Sequence, residues 1–149
     1  MKSSFLKRGN KELKRTPLAK RGKILDRNSL KFWKKKVWNL QSEVIRREEK
    51  GICFTCDKQD NWKNQQTGHF IHLDCLDFVS QNIHCQCVGC NKYRHGNPIA
   101  YALALEKRYG YGICQKLRLL GDRNKPYKVT ELQGLYNYYQ GRLRVLNSQ

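Results

Sequence analysis

Acidic side chains are scarce in this chain. Its 149 residues include 12 Asp and Glu against 30 Lys and Arg, which gives a formal net charge of +18 at pH 7. A fold gains no stability from so one-sided a charge because the positive side chains repel one another, whereas a polyanion releases counterions wherever a Lys or Arg meets a phosphate. The composition therefore predicts nucleic acid as the partner, ahead of the alternative of a ribosome-like or merely soluble basic protein.

Long hydrophobic runs are also missing. No apolar segment follows Met1, and no apolar run approaches the length that a membrane helix needs. These absences argue against a secretory signal and against a membrane partner, so we expect a cytoplasmic protein in a reducing compartment. There the seven cysteines, an odd number, indicate metal binding rather than disulfides.

The first quarter of the chain holds most of the positive charge. Residues 1–36 contain 14 basic and 2 acidic residues, and residues 1–27 have few large apolar side chains. Such a segment cannot bury enough apolar surface to order itself. We predict that residues 1–27 form a basic flexible arm that binds phosphate. A solvated tail or a nuclear localisation signal has a similar composition. Residues 28–149 are then a single domain.

A first helix is predicted directly after the arm, over about residues 28–49. Ser29 is placed to cap its start. Four large apolar side chains recur at helical spacing along it: Trp33, Val37, Leu40 and Val44.

Further helices are predicted near the end of the chain. One covers residues 98–109 and ends at Gly110, and a short one covers 111–120. Thr130 and Gln133 form a capping-box pattern at the start of a last helix. An apolar stripe follows this last helix and is either core or the interface of a homodimer: Leu132, Leu135, Tyr139, Leu143 and Leu146.

Two CxxC pairs carry the strongest chemical signal. Cys53 and Cys56 form one pair, Cys87 and Cys90 form the other, and 30 residues separate them. The two-residue gap lets a tight turn aim both sulfurs at one tetrahedral ion, so two such turns complete a four-thiolate shell. A closed shell has no open position for substrate. The spacing therefore predicts a structural zinc ion.

Three cysteines remain outside these pairs, namely Cys75, Cys85 and Cys114. We interpret them as ordinary small side chains, because neither Cys75 nor Cys114 has a paired neighbour. Cys85, and with it His84 or His95, could compete for the ion.

The segment between the two pairs carries a further set of polar residues. His69 lies in a short apolar run, 67–71, that suits a strand, Asn82 follows thirteen residues later, and Asn91 comes directly after Cys90. The order His, Asn, Asn on a CxxC…CxxC frame resembles the HNH, or ββα-metal, nucleases.

The likeness is closer to one family, the phage recombination proteins called NinG or Rap. It rests on the run NIHCQCVGCN at 82–91, the GN at 96–97, the GHF at 68–70 and the series Tyr101, Leu105, Tyr109, Gly110. It covers roughly residues 30–145. The resemblance implies an α+β fold with a zinc-knotted ββα-metal core wrapped by helices, and a divalent-metal-dependent endonuclease of branched recombination intermediates in the host cytoplasm.

The resemblance also implies roles for the three motif residues. A neutral His69 would be the general base that takes a proton from water, since phosphodiester hydrolysis needs such a base and an ion on the phosphate. Asn82 would fix the loop that aims His69, and Asn91 would offer an oxygen to Mg²⁺ or Mn²⁺. Taken alone, His69 would be a structural histidine and each Asn a turn or cap residue.

One position departs from the HNH pattern. Many of those nucleases have an Asp directly before the base, as a second ligand of the catalytic ion, whereas this chain has Gly68. We expect His95, one helical turn after Asn91, to be a substitute ligand, with Asp74 or Asp77 as alternatives.

The function expected from these observations is cleavage of branched or single-strand-containing DNA of the Holliday-junction or D-loop type. One alternative is a non-catalytic zinc-knot module that binds nucleic acid, which the missing Asp would suit. Another is a sequence-specific homing or restriction nuclease on the same core, which a short chain without an evident recognition domain makes less favourable.

Overall fold

The computed structural model describes residues 29–148, which form four α-helices and a two-stranded sheet. In chain order these are α1 (Leu30–Glu48), β1 (Gln66–His69), β2 (Ile83–Gln86), α2 (Pro98–Tyr109), α3 (Ile113–Asp122) and α4 (Val129–Asn147). Between them lie two 3-10 turns, Asp74–Leu76 and Ser80–Asn82, and a π-helical turn, Gly89–Tyr93. The predicted α+β class is confirmed at this level. The predicted arm, residues 1–27, lies outside the described residues.

The helix predicted after the arm is confirmed as α1. It begins after Ser29, whose hydroxyl accepts a hydrogen bond from Phe32 N–H at 3.2 Å, and such a cap satisfies one of the donors that a helix start leaves unpaired. Val37 and Val44 on the predicted apolar face are fully buried. The buried Gln41 lies on the same face, which a purely apolar pattern does not reveal.

The main core lies between α1 and α4, which run in the same direction. Trp33 packs edge-on against Tyr136 near the helix starts, and Arg47 donates to the carbonyl of Leu146 near their ends. Five buried side chains form this core: Val37, Val44, Phe78, Leu132 and Tyr139.

Although α1 and α4 have 19 residues each, no helix in the described part of the chain is long and apolar enough to cross a membrane.

This packing decides between the two roles predicted for the stripe on the last helix. Leu132 and Tyr139 are buried against α1, and Leu135, Leu143 and Leu146 pack beside them. The stripe is therefore core, because α1 of the same chain covers it. The homodimer considered from the sequence stays a prediction.

The start of α4 differs from the predicted capping box of Thr130 and Gln133. The N-cap is Lys128, and the Glu131 carboxylate accepts from its backbone N–H at 2.7 Å. Thr130 lies inside the first turn. The prediction was wrong because Glu131 is three residues from Lys128 and already supplies the acceptor that a capping box requires, so the helix starts earlier.

A second, smaller core joins α2 and α3 to the sheet. It contains Tyr101, Leu105, Ile113 and Leu117, all of them buried. The predicted helix over 98–109 is confirmed as α2. The short helix begins at Ile113 rather than at 111, because Gly110 and Gly112 take φ angles of +90° and +87° and turn the chain before helical geometry resumes.

The hydrogen bond between Gln41 and Tyr139 gives a test of the α1–α4 core. Gln41 Nε2 donates to the Tyr139 hydroxyl at 2.9 Å in a buried setting. Tyr139→Phe leaves this donor unpaired and should lower the free energy of unfolding by about 1–3 kcal/mol in urea denaturation. Adding Gln41→Leu should recover part of the loss, because both polar partners are then removed.

Tyr138 supplies the matched control for this measurement. Its hydroxyl bonds only the exposed side chain of Arg142, so Tyr138→Phe should change stability by no more than about 0.5 kcal/mol. Equal stability of the two Phe variants would contradict the role assigned to the buried pair.

Candidate metal centre and the His69 cleft

Each CxxC pair lies in a tight turn. The first turn is closed by a backbone hydrogen bond from Asp57 N–H to the Cys53 carbonyl at 2.9 Å, and Asp57 adopts a φ of +56°. In the second turn the Cys90 N–H points at Cys87 Sγ at 3.4 Å, an N–H···S contact that favours a thiolate. Phe54 N–H donates to the Cys85 carbonyl at 2.8 Å and fastens the first turn to β2.

The two turns bring four sulfurs together. The Sγ atoms of Cys53, Cys56, Cys87 and Cys90 all lie within 4.8 Å of one another, and Cys56 and Cys87 are 3.8 Å apart. Tetrahedral zinc with bonds of about 2.3 Å places its sulfurs about 3.8 Å apart. The predicted grouping of these four cysteines is confirmed, and the donor set fits a metal such as zinc.

The remaining cysteines do not join this cluster, as expected. Cys75 and Cys114 are half-buried elsewhere, near the carbonyls of Gly121 and Ala102. Cys85 is buried in β2, and burial, with the nearby Glu49 carboxylate, raises the pKa of its thiol to about 12. Its sulfur does not belong to the group of four that lie within 4.8 Å of one another.

His84, which could have competed for the ion, is committed to Glu49. Its Nδ1 lies 2.7 Å from Glu49 Oε1, and the other carboxylate oxygen accepts from Cys85 N–H at 2.7 Å. Arg108 of α2 also donates to Glu49. Burial by itself would raise the pKa of Glu49, but these donors hold it below its ordinary value. The ionised carboxylate thus ties the end of α1 to β2 and α2.

Asn82 fastens the loop that follows His69. It is fully buried, its Oδ1 accepts from Ile71 N–H at 2.9 Å, and its Nδ2 donates to the carbonyls of Ile71 and Leu76 at 2.9 and 3.2 Å. Its own carbonyl accepts from Phe70 N–H. Three side-chain hydrogen bonds to one loop restrict the backbone directly after β1. This is the geometry that the role proposed for Asn82 requires.

His69 is the last residue of β1 and lies in a cleft against α1. Its ring stacks on Trp38 with 4.8 Å between centroids, and its Nε2 lies 3.8 Å from an Asp77 oxygen without a hydrogen bond. Burial lowers the pKa of His69 below its ordinary value of 6.5, and Asp77 only partly offsets this. The imidazole is therefore neutral at pH 7 and able to accept a proton.

The cleft beside His69 is positively charged at its rim. It encloses about 240 Å³ and is lined by Lys34, Lys35, Trp38, His69, Asp77 and Phe78. Lys34 pairs with Asp74 at 3.1 Å and with Asp77 at 3.5 Å, whereas Lys35 is exposed to solvent. Lys35 is therefore the lysine at this rim whose charge no carboxylate of residues 29–148 neutralises, and an entering anionic group would meet it beside a neutral imidazole.

Asn91 lies in the π-helical turn and faces the other side of the hairpin. Its Nδ2 donates to Gln66 Oε1 at 2.8 Å, and its Oδ1 points at Gly68. Since side chains alternate along a strand, His69 on the α1 face and Gln66 on the opposite face are separated by the sheet. The structure therefore places His69 and Asn91 on opposite faces of β1 rather than in contact.

The three residues considered as substitutes for the missing Asp are an exposed histidine and two aspartates that pair with a lysine of α1. His95 is exposed at a φ of +50° in the turn that follows the π-helical segment, so it is not one helical turn beyond Asn91 as expected. The helix stops because Gly96 N–H folds back to the carbonyls of Cys90 and Asn91. Asp74 and Asp77 pair with Lys34. Within residues 29–148, only the four-cysteine cluster groups three or more His, Cys, Asp or Glu side chains closely enough to hold an ion.

Two functional neighbours have no signal in the sequence. Glu49 is one charge among several at a helix end, and Gln86 lies in the run at 82–91 without a role assigned to it from the sequence. Side chains alternate along a strand, so Gln86 lies on the same face of β2 as His84. This is the one feature by which the sequence could have drawn attention to Gln86.

The zinc prediction can be tested by metal content and thermal unfolding. We expect a tightly held zinc ion in the purified protein, and Cys90→Ser should lose it and unfold at a markedly lower temperature, because the loop between the two turns depends on the metal. Cys114→Ser is the matched control and should retain both zinc and the melting temperature. Folded wild-type protein without zinc would contradict the assignment.

Comparison with known proteins identifies one family. The family model described as Bacteriophage Lambda NinG protein matches residues 2–149. The chain is 26% identical over 121 residues to Protein ninG of Escherichia phage 933W, covering 78% of this chain and 59% of that protein. Its identity to Protein ninG of Escherichia phage lambda is 25% over 121 residues, covering 78% and 58%.

The Salmonella phage P22 protein of the same name is 26% identical over 119 residues, covering 77% of this chain and 58% of that protein. The chain thus spans about three-fifths of the length of these relatives. No solved structure matches it. Because the family model covers nearly the whole sequence, the chain belongs to the NinG family of bacteriophage proteins.

Proposed function

We propose that the protein is a divalent-metal-dependent DNA endonuclease with an HNH-like, ββα-metal core. The observation that carries the proposal is the neutral His69 in a lysine-rimmed cleft, at the end of a hairpin that the four-cysteine cluster and Asn82 hold in place. The π-helical turn after β2 supplies the helical element of such a core.

His69 is assigned the role of general base. A base must be deprotonated at the working pH and must lie where a water and a phosphate can approach together. Burial keeps the imidazole neutral, the Trp38 ring holds its orientation, and Lys34 and Lys35 supply positive charge at the rim. The Nε2 atom is buried and has no hydrogen-bond partner among the described residues, so the side chains around it would have to shift before a water could pass its proton to this nitrogen.

Asn91 is assigned to the cation. A bound Mg²⁺ or Mn²⁺ would stabilise the negative charge that develops on the phosphate. The Asn91 side chain fits such an ion, because its Oδ1 accepts no hydrogen bond within the described part of the chain while its Nδ2 donates to Gln66. Oxygen donors of this kind suit hard divalent cations.

His69 and Asn91 lie on opposite faces of β1, so a nucleic acid would have to pass over the edge of this strand to contact both. Within residues 29–148, β1 pairs with β2 along one edge and with no strand along the other. A nucleic-acid backbone that lies along this free edge would reach His69 on one side and Asn91 on the other. The basic surface of α1 and the predicted arm would hold it there without reading the base sequence.

The preference for branched or single-strand-containing recombination intermediates follows from the resemblance to the NinG proteins. Holliday junctions and D-loops expose several phosphate backbones at one point, which suits a strongly basic protein. We therefore choose a four-way junction as the substrate for the first assay, with a linear duplex beside it.

A non-catalytic zinc-knot module that binds nucleic acid is the second candidate. Two observations favour it: Gly68 supplies no carboxylate, and the side chain of His69 is only 15% exposed. The two candidates differ in one result. A binder holds junction DNA but leaves it uncut with either Mg²⁺ or Mn²⁺.

The role of His69 is tested by His69→Ala. We expect cleavage of a labelled four-way junction to fall by about 10²–10⁴-fold, because a general base contributes this much to rate. Junction affinity and zinc content should change little, since the base acts on water. His72→Ala is the control, because His72 is exposed and its ring centroid lies only 5.5 Å from that of His69. Equal rates in the two variants would remove His69 from the mechanism.

The pH dependence of cleavage tests the protonation state of the same residue. The pKa of His69 is lowered from 6.5, so the base is present above that value and is lost as pH falls through the lowered pKa. We expect kcat/KM to be level above about pH 6.5 and to fall by about tenfold per pH unit well below the pKa. A rise in rate that is centred above pH 7 would assign the base to another group.

The arm is tested by removing residues 1–27. The deletion takes away 10 basic and 2 acidic residues, a net charge of +8. DNA binding should weaken, and the plot of log affinity against log salt should become shallower by about 0.9 for each phosphate that the arm no longer neutralises. Cleavage at saturating protein should persist. An unchanged salt slope would show that the arm does not meet phosphate.

A further inference from the structure

A groove opens at the end of β1, between that strand, the start of α2 and the outer face of α3. It encloses about 800 Å³, which lies within the usual size range of ligand sites. Most of its wall consists of apolar side chains: Phe70, Ile71, Leu73, Pro98 and Leu119. Leu73 and Leu119 are 43% and 56% exposed, so the groove keeps apolar surface in contact with water. Exposed apolar surface of this kind marks a binding site.

The groove begins one residue away from His69. Phe70 follows directly, and its N–H donates to the Asn82 carbonyl at 2.8 Å, so the pairing of the hairpin continues to this residue. Because side chains alternate along a strand, Phe70 lies on the same face as Gly68, which is the face of Asn91. A nucleic acid that passes over the edge of β1 from His69 to Asn91 would therefore lie beside the groove.

The surface around the groove is basic. Arg118 lines the groove, and Lys116 and Arg123 line a second depression that shares Leu119 with it. Asp122 is the one carboxylate in the lining of either, so three basic side chains face one acidic one. This balance favours an anionic occupant. It disfavours a second copy of the chain, because the same positive face on that copy would repel it.

Phe70 gives the groove an aromatic surface. Its ring packs against Tyr101 with the centroids 5.5 Å apart, and the side chain is only half-buried. Proteins hold unpaired nucleobases by stacking them on aromatic rings and enclosing them with apolar side chains, while basic side chains bind the adjoining phosphates. A paired base cannot enter such a groove, because its neighbours in the duplex cover both of its faces.

We infer that the groove binds an unpaired nucleotide next to the phosphodiester that is cut. The base lies against Phe70 and Leu119, and a flanking phosphate lies against Arg118. The inference deepens the proposed function and rests on it for the path of the DNA. It gives a physical origin to the preference for branched or single-strand-containing DNA, because such DNA supplies unpaired nucleotides and a linear duplex supplies them only after base pairs break.

The experiment compares a forked duplex with a fully paired duplex of the same length. Full-length zinc-loaded protein is used without added Mg²⁺ or Mn²⁺, so that binding is measured without cutting. Wild type should bind the fork more tightly. Leu119→Ser should weaken binding to the fork by about 5–10-fold and leave binding to the paired duplex unchanged, because only the unpaired base contacts this side chain.

The salt dependence of binding separates the phosphate contact from the base contact. Arg118→Gln should make the plot of log affinity against log salt shallower by about 0.7 for the fork, the value for one phosphate of a single strand. Leu119→Ser should leave this slope unchanged, since stacking and apolar contact release no counterions.

A fluorescent aminopurine base reports the stacking directly. It is placed in turn at the first few unpaired positions of the fork, and at one of them its fluorescence should fall on binding because it stacks on the Phe70 ring. Phe70→Leu keeps an apolar side chain against Tyr101 but removes the ring. This variant should keep its zinc and lose the quenching.

Arg144 and Val145 of α4 supply the matched controls. They repeat the arrangement of an exposed arginine followed by an exposed aliphatic side chain, with Val145 59% exposed against 56% for Leu119. Arg144→Gln and Val145→Ser should change the affinities for fork and duplex by the same factor. They should leave the quenching at its wild-type level.

Three outcomes would overturn the inference: equal affinity of wild type for fork and duplex, an equal effect of Leu119→Ser on both DNAs, or quenching that persists in Phe70→Leu. A change from dimer to monomer in Leu119→Ser, with DNA binding unaltered, would assign the groove to a second copy instead. Junction cleavage with Mg²⁺, measured on the same variants, separates the inference from the proposed function. Wild type that cuts junctions while Leu119→Ser still prefers the fork keeps the nuclease and removes the groove. Wild type that prefers the fork through Leu119 but cuts nothing keeps the groove and removes the nuclease.

Discussion

The rest of the described structure depends on the meeting of four sulfurs from two distant turns. Cys53 and Cys56 are brought against Cys87 and Cys90, and this closes a long loop that contains β1, both 3-10 turns and β2. A two-stranded hairpin by itself is at best marginally stable in water. Four thiolates on one ion would supply the missing free energy, because the ion would have to dissociate before the loop could open. The cluster is a support for the hairpin, and the proposed chemistry takes place on the hairpin itself.

Buried polar side chains then set the orientation of the hairpin. Glu49 connects the end of α1 to β2 and α2 through His84, Cys85 and Arg108, and Asn82 fixes the loop that follows His69. Each of these groups loses water on burial and is stable only because its partners replace that water.

The proposed site divides its work between two faces of one strand. On the α1 face, burial keeps His69 neutral; on the opposite face, Asn91 would hold the proposed cation. A net charge of +18 favours contact with nucleic acid, so in the proposed mechanism the phosphate of bound DNA would complete the coordination of the ion.

The sequence by itself determined the four-cysteine cluster, the capped first helix, the α2 helix and the basic character, because each depends on local spacing or on composition. The periodicity of α1 identified its buried face but not Gln41, since a polar residue on such a face gives no apolar signal. The tertiary structure alone decided that the stripe on α4 is core, that His69 and Asn91 lie on opposite faces, and that an apolar groove opens at the end of β1. These outcomes depend on strand register and on which element covers which face. Register and coverage are set by interactions between residues far apart in the chain, and no local pattern encodes them.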